Sequence, residues 1–371
     1  MKPIESIDAS FSVSWKQRLR FTDDSFSDDT LNALLHECNP VQLLIVVDLG
    51  VKTSNPTFID ALDTWLSTIE IKHHGPITVD GGESAKNDML VVEQVLAEIN
   101  QNNLCRKSCI LVIGGGAVLD AVGYASSIAH RGIPIIRMPS TTLAQCDSGI
   151  GVKNAVNYFG KKNFIGVFDP PFAVINDFRL LNSLDDQHWR SGLSEAVKVA
   201  LVKDALFFDE MESTAEQLVS RDVEPMIKVI TKSAQLHLEH ITNGGDPFER
   251  LDARPLDFGH WSAHKLEQVT NHSLTHGEAV SIGLALDLRC SVGLGLLDDA
   301  VANRAISLLQ ALGLPTAHVE LQNSMLIDGI EEFRQHLGGR LTLLMLKGIA
   351  DPIDVHELSP VIVRQAISEL M

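Results

Sequence analysis

Four histidines crowd one stretch of the chain, PLDFGHWSAHKLEQVTNHSLTHGEAV (255–280): His260, His264, His272 and His276. His260 and His264 stand four residues apart, so on a helix they share one face. One glycine precedes His260 and another follows His276, which brackets a helix between two turns. The stretch is either a polar helix–loop–helix surface or half of a metal site. Zinc-type sites need three or four N, O or S donors, and catalytic ones keep a position open. Glu195, in GLSEAVK, offers a carboxylate from an earlier helix, with Lys198 one turn further on. His272 and His240 read as surface residues.

A different chemistry is suggested by GGGAVLDAVG (114–123), which follows an apolar run and opens a helix. Glycine lets the backbone approach a pyrophosphate, and a helix N-terminus offers free N–H groups at its positive dipole end. The spacing is not G-x-G-x-x-G, so a tight turn without a ligand is the competing reading. Gly115, Gly116 and Asp120 favour a dinucleotide. DGGESAK (80–86) adds Glu83 and Lys86, suited to ribose hydroxyls and phosphate oxygens. The polar segment 139–166 is long for a connection and carries Asp147, Lys153, Lys161, Lys162 and Asn163. Its cations make it either a phosphate cradle or a solvated charged loop.

These residues need a scaffold, and 371 residues suit two domains. LLIVVDLG (43–50), CILVIGGG (109–116) and GIPIIRMPSTT (132–142) are apolar runs expected as buried parallel strands. NPTFIDALDTWLSTI (55–69) and AVLDAVGYASSIAHR (117–131) carry helical spacing, which gives right-handed βαβ units. After FAVINDFRLL (172–181) the strand signal fades, and from about residue 187 the chain reads as helices. LTLLMLKGIA (341–350) is a strand or a helix. The fold predicted is an α/β Rossmann-like N-terminal domain, 1–183, and an all-α C-terminal domain, 184–371.

Composition narrows the partners. Hydrophobic residues make up 45% and charged residues 21%, while aromatics at 5% leave the cores to aliphatic side chains. A net charge of −18 argues against nucleic acid or an anionic membrane surface. Five scattered cysteines predict a reduced, cytoplasmic setting. The first residues lack an apolar signal core, and no apolar run nears the roughly 18 residues of a membrane span.

At these motifs the chain resembles the sugar phosphate cyclases of the 3-dehydroquinate synthase superfamily. GGGAVLD, RGIPIIRMPSTTLAQCDSGIGVK, GKKNFIG, GLSEAVK, GHWSAH and HGEAV occur in that family's order. The resemblance implies NAD and a divalent metal, zinc or cobalt, as cofactors, a sugar phosphate substrate, and an active site in the interdomain cleft. It places metal ligands on Glu195, His260 and His276. NAD contacts fall on Asp48, Glu83, Lys86, Gly115, Gly116, Asp120, Ser140, Thr141 and Lys162. Catalytic and substrate contacts fall on Asp147, Lys153, Asn163, Lys198 and His264. Arg131 matches an arginine that reaches the phosphate of a neighbouring subunit, which implies a homodimer. The implied reaction is a transient oxidation by NAD⁺, β-elimination of phosphate, reduction, ring opening and an aldol closure, with no net redox change.

The departures bear on the substrate. Dehydroquinate synthases carry Asn where Asp257 stands, Arg where Ala253 stands beside Arg254, and Lys where His237 stands. Their paired C-terminal lysines are replaced in FRQHLGG, leaving Arg334 or His336. Without a fixed fork of donors a buried substrate carboxylate is poorly satisfied. The resemblance is accordingly to the 2-epi-5-epi-valiolone synthase branch, which converts sedoheptulose 7-phosphate to a carbocyclic cyclitol. The alternatives are 3-dehydroquinate synthase, a metal-dependent polyol dehydrogenase with net NADH production, and a non-catalytic scaffold.

Overall fold

The computed structural model describes residues 6–159, 161–244, 246–248, 255–271, 273–336 and 339–371. Its first half is a six-stranded sheet in the order β1-β8-β5-β4-β2-β3, with every pairing parallel. The strands are β1 (Arg18–Thr22), β2 (Leu43–Asp48), β3 (His73–Val79), β4 (Cys109–Gly114), β5 (Ile135–Pro139) and β8 (Ala173–Asp177). β2, β4, β5 and β8 are buried at every position because helices cover both faces, and they are mainly apolar, with Asp48, Arg137, Asn176 and Asp177 as buried polar exceptions. The edge strands β1 and β3 are half-buried, and their mixed composition hid them from the periodicity.

The polar stretch 139–166 is not a loop. It forms a single π-helical turn, Ala144–Ser148, and an antiparallel hairpin of β6 (Lys153–Tyr158) and β7 (Lys161–Phe168). Along β7 exposure alternates only roughly, and lysine, asparagine and glycine among its phenylalanines and aliphatic residues obscure the strand period. Beneath this turn Arg137 is fully buried and donates to the carbonyls of Gly149 and Gly151 at 3.2 and 2.8 Å, and to Asn154 Oδ1 at 2.6 Å.

The sheet is complete at Asp177, and a long helix, Asp186–Lys203, opens the helical half. It is buried almost throughout from Trp189 to Val202, packed among helices Ala205–Val219, Val223–Asn243 and His276–Gly293. The second half is helical, but not exclusively. LTLLMLKGIA resolves as strand β9 (Leu343–Gly348), which pairs antiparallel with β10 (Asp351–Val355). Among the described residues no helix is long and apolar enough to cross a membrane.

Candidate active site

A cleft of about 1340 Å³ opens between the carboxyl edge of the sheet and the helical half. On the sheet side, Asp48 ends β2 and turns its buried carboxylate back on the chain, accepting from Gly50 N–H at 2.7 Å and Gly115 N–H at 3.4 Å. Burial pushes this carboxyl above its usual range. A Cβ on Gly114 would lie 2.9 Å from Val118 Cγ1 and 3.1 Å from Asp48 Cβ, so packing alone demands glycine there. Gly115 differs: a Cβ would meet nothing closer than 3.6 Å, and the residue faces the cleft. Packing thus accounts for glycine at 114, while Gly115 leaves open space on the cleft side of the turn. Gly116 starts the helix Gly116–Ile128, and Asp120 on its first turns accepts from Lys86 Nζ at 2.6 Å. Lys86 also donates to Asn163, while Asn157 donates to Glu83 at 2.9 Å. Ser140 and Thr141 follow β5 and line the same wall.

The helical wall brings together residues far apart in sequence. Gly259 caps the helix His260–Val269 in a left-handed conformation (φ 79°), and a Cβ there would strike Leu284 N at 2.8 Å. Asp287 accepts from Gly259 N–H at 2.8 Å and from Trp261 Nε1–H at 2.7 Å, which fixes the start of this helix. His276 opens the next helix behind a capping box, with Thr275 and Glu278 bonded reciprocally. The glycine before His260 and the glutamate after His276 thus serve helix starts.

His260 and His276 turn their Nε2 atoms to Glu195 Oε1, at 3.6 and 3.4 Å. Both separations exceed a good hydrogen bond, and this fully buried oxygen accepts none. The other ring nitrogens are occupied. His260 Nδ1 faces Phe258 O at 3.1 Å and His276 Nδ1 faces Glu267 Oε2 at 3.1 Å. The three ligand atoms lie within 4.8 Å of one another, a two-nitrogen, one-oxygen set aimed at a common point that suits a divalent cation. Lys198 Nζ is 2.5 Å from Glu195 Oε2 and 3.8 Å from Asp147 Oδ1. Burial alone would raise the Glu195 carboxyl, but Lys198 and the two imidazoles hold it well below the usual range. Asp147 behaves likewise: Lys198 and His237 outweigh burial and bring it down to about 2. His237 Nδ1 lies 2.7 Å from Asp147 Oδ1.

His264 stands with its ring centroid 5.5 Å from that of His260. Burial first, then the neighbouring His260 and Lys162, push its pKa below the ordinary value. Lys153, Lys162, Asn163 and Asp257 also line the cleft.

Some expected residues are elsewhere. Arg131 lies on an exposed turn beyond the helix Gly116–Ile128, away from the cleft lining of its own chain. Arg334 does not replace the missing cations, because its guanidinium is held by Glu331 at 2.7 Å and by Gly339 O at 2.6 Å outside the cleft. The side chain of His336, with Ala253, Arg254 and His272, lies outside the described residues. His240, read as a surface residue, lines the cleft. Glu267 was missed altogether. It is buried and lies between Lys162 Nζ (2.5 Å) and His276 Nδ1. Its signal was present in H-x-x-x-H-x-x-E, which keeps all three side chains on one helical face.

Comparison with known proteins fits this geometry. The family profiles described as 3-dehydroquinate synthase N-terminal and 3-dehydroquinate synthase C-terminal match residues 76–191 and 192–334. A 2-epi-valiolone synthase of Actinosynnema mirum is 35% identical over 303 residues, 80% of this chain and 78% of that protein. A 3-dehydroquinate synthase of Halorhodospira halophila is 33% identical over 285 residues, 76% of this chain and 80% of its own length. The solved 2-epi-5-epi-valiolone synthase of Streptomyces hygroscopicus subsp. jinggangensis, with NAD⁺ and Zn²⁺ bound, superposes with a TM-score of 0.89 at 28% identity, covering 98% of this chain and 99% of that one. The chain belongs to the sugar phosphate cyclase family of 3-dehydroquinate synthase-like enzymes, and it is a lyase-type cyclase.

Proposed function

We propose that this enzyme is an NAD- and metal-dependent cyclase of a heptulose phosphate without a carboxylate, sedoheptulose 7-phosphate, which it converts to a carbocyclic cyclitol with loss of phosphate. The observation that carries the substrate choice is the charge around the cleft. Among the described residues no arginine lines it, and its lysines Lys86, Lys162 and Lys198 are paired with Asp120, Glu267 and Glu195. Asp147, paired with His237, and Asp257 add negative charge and acceptors on the helical side. A substrate carboxylate placed there would lose hydration without gaining a fork of donors, whereas hydroxyls would find acceptors.

In this reading Glu195, His260 and His276 hold the divalent metal, and the glycine turn with Asp48, Glu83, Lys86, Asp120, Ser140, Thr141 and Lys162 holds NAD⁺. When bound, the metal supplies Lewis acidity at a substrate oxygen, and NAD⁺ supplies a reversible hydride acceptor. Lys198 Nζ and Asp147 orient the hydroxyls beside Glu195. His264 exchanges hydrogen bonds with the hydroxyl whose proton moves. Lys153 and Asn163 bind the phosphate and stabilise its charge as it leaves. Exposed Arg131 completes the phosphate site of a second subunit, so the working unit is a homodimer. The chain divides into domains at 183/184. Free thiols at Cys38, Cys105, Cys109, Cys146 and Cys290 suit a reduced, cytoplasmic compartment.

The test is phosphate release by the metal-loaded protein with NAD⁺, comparing sedoheptulose 7-phosphate with the carboxylate-bearing heptulosonate phosphate. Release from the first alone, without accumulated NADH, is expected. Release from the second alone would establish a 3-dehydroquinate synthase, the reading favoured by relatives of that name at 33% identity.

A further inference from the structure

We propose that Glu267 is a positioning residue that fixes His276 as a metal ligand and ties it to Lys162 on the β6–β7 hairpin; the inference rests on the metal assignment above. Each oxygen of this buried carboxylate has one partner: Oε2 faces His276 Nδ1 at 3.1 Å, and Oε1 faces Lys162 Nζ at 2.5 Å. An imidazole has two nitrogens, and a ligand must present the unprotonated one to the metal. With Glu267 accepting from Nδ1–H, the lone pair of Nε2 is left facing Glu195 Oε1 at 3.4 Å. His276 is the first residue of its helix and is half-buried, so its own backbone does little to stop the ring from turning.

Lys162 makes the arrangement tolerable. A carboxylate this deeply buried needs a compensating charge, and the cation comes from the other half of the molecule. Glu267 therefore joins the hairpin of the α/β half to a ligand of the helical half. Only a carboxylate can accept from both sides at once. An amide at this position must turn its NH₂ either to the Lys162 ammonium or to His276 Nδ1. The second choice forces the proton onto Nε2, where it blocks the metal.

The test reads Co²⁺ affinity by titration, with the cobalt absorption band as a spectroscopic signature, alongside thermal melting of each metal-free variant. Glu267→Gln should weaken Co²⁺ binding by roughly 10- to 100-fold and alter the band. Lys162→Met strands the buried Glu267 carboxylate and should lower the melting temperature of the metal-free protein. The double variant Glu267→Gln/Lys162→Met should bind Co²⁺ more tightly than Glu267→Gln alone, since the amide is then free to turn its oxygen to His276. Parental Co²⁺ affinity in Glu267→Gln, or a double variant no better than that single one, would overturn the proposal. A parent protein that binds no Co²⁺, or whose binding survives Glu195→Ala, would overturn the metal assignment itself and this inference with it.

Discussion

On the sheet wall of the cleft, Gly114, Gly115, Gly116 and Asp120 form one continuous turn, and Asp48 reaches it from the neighbouring strand. On the helical wall, Glu195, His260, Glu267 and His276 come from three helices and meet only after those helices pack. The first wall presents backbone N–H groups and small residues, whose position follows from the end of a strand and the start of a helix. The second presents buried charges that tolerate desolvation only because each faces another: Lys198 with Glu195, Lys162 with Glu267, His237 with Asp147. A site made from local geometry should weaken by degrees when altered. A site made from mutually compensating charges should fail abruptly.

The contrast is broken most directly at its extreme. Glu195→Ala removes a ligand and strands Lys198 uncompensated, and turnover should fall by roughly a thousandfold or more with loss of bound metal. Steady-state assay together with metal analysis checks this, and retention of both would make the helical wall as forgiving as the sheet wall.

Asp287 sharpens the comparison through pH. Burial pushes its carboxyl up to about 7 despite the two donors it accepts from. The folded state therefore holds this proton more tightly than the unfolded chain, and the stability contributed by the neutral form is lost as pH rises from about 4 to about 7. The loss is at most about 4 kcal/mol at about 1.4 kcal/mol per pH unit. Denaturant melts across that range should show the decline in the parent and its absence in Asp287→Asn.

Gly114→Ala tests the sheet wall, where the added methyl must displace Val118 and Asp48. A cost of about 1–3 kcal/mol in stability is expected, with weaker NAD⁺ binding and an unchanged metal content. Calorimetry and cofactor titration separate the two effects. The smallest effect belongs to specificity. His237→Lys with Asp257→Asn should shift the ratio of kcat/KM toward the carboxylate-bearing substrate by roughly tenfold, about the value of one recovered charge interaction. No shift would remove the electrostatic basis for excluding it.

How much of this could be read in advance follows the same division. β2, β4, β5 and β8 were legible because helices on both faces favour mainly apolar strands. β1 was not, being short and half-buried at an edge, nor was the β6–β7 hairpin, whose residues are mixed in character and largely exposed. Glu195, His260, His264 and His276 stood out by type and spacing, and the cleft gathers their surroundings. Glu267 and Arg137 did not, because a glutamate on a helix or an arginine in a strand takes its meaning from partners that are distant in sequence. Arg334 was over-read for the same reason: its spacing was suggestive, but Glu331 on the same helix holds it away from the cleft.

The sequence by itself determined the parallel sheet, the glycine turn and the types of donor in the cleft, since these follow from hydrophobic runs, backbone conformation and donor chemistry that act over a few residues. Tertiary structure alone decided that the His276 ring lies between Glu267 and Glu195, that His264 packs beside His260 and that Lys162 is paired. Each of those depends on burial and on charges from other elements, and electrostatic energy in a desolvated cleft is set by distance in space rather than along the chain.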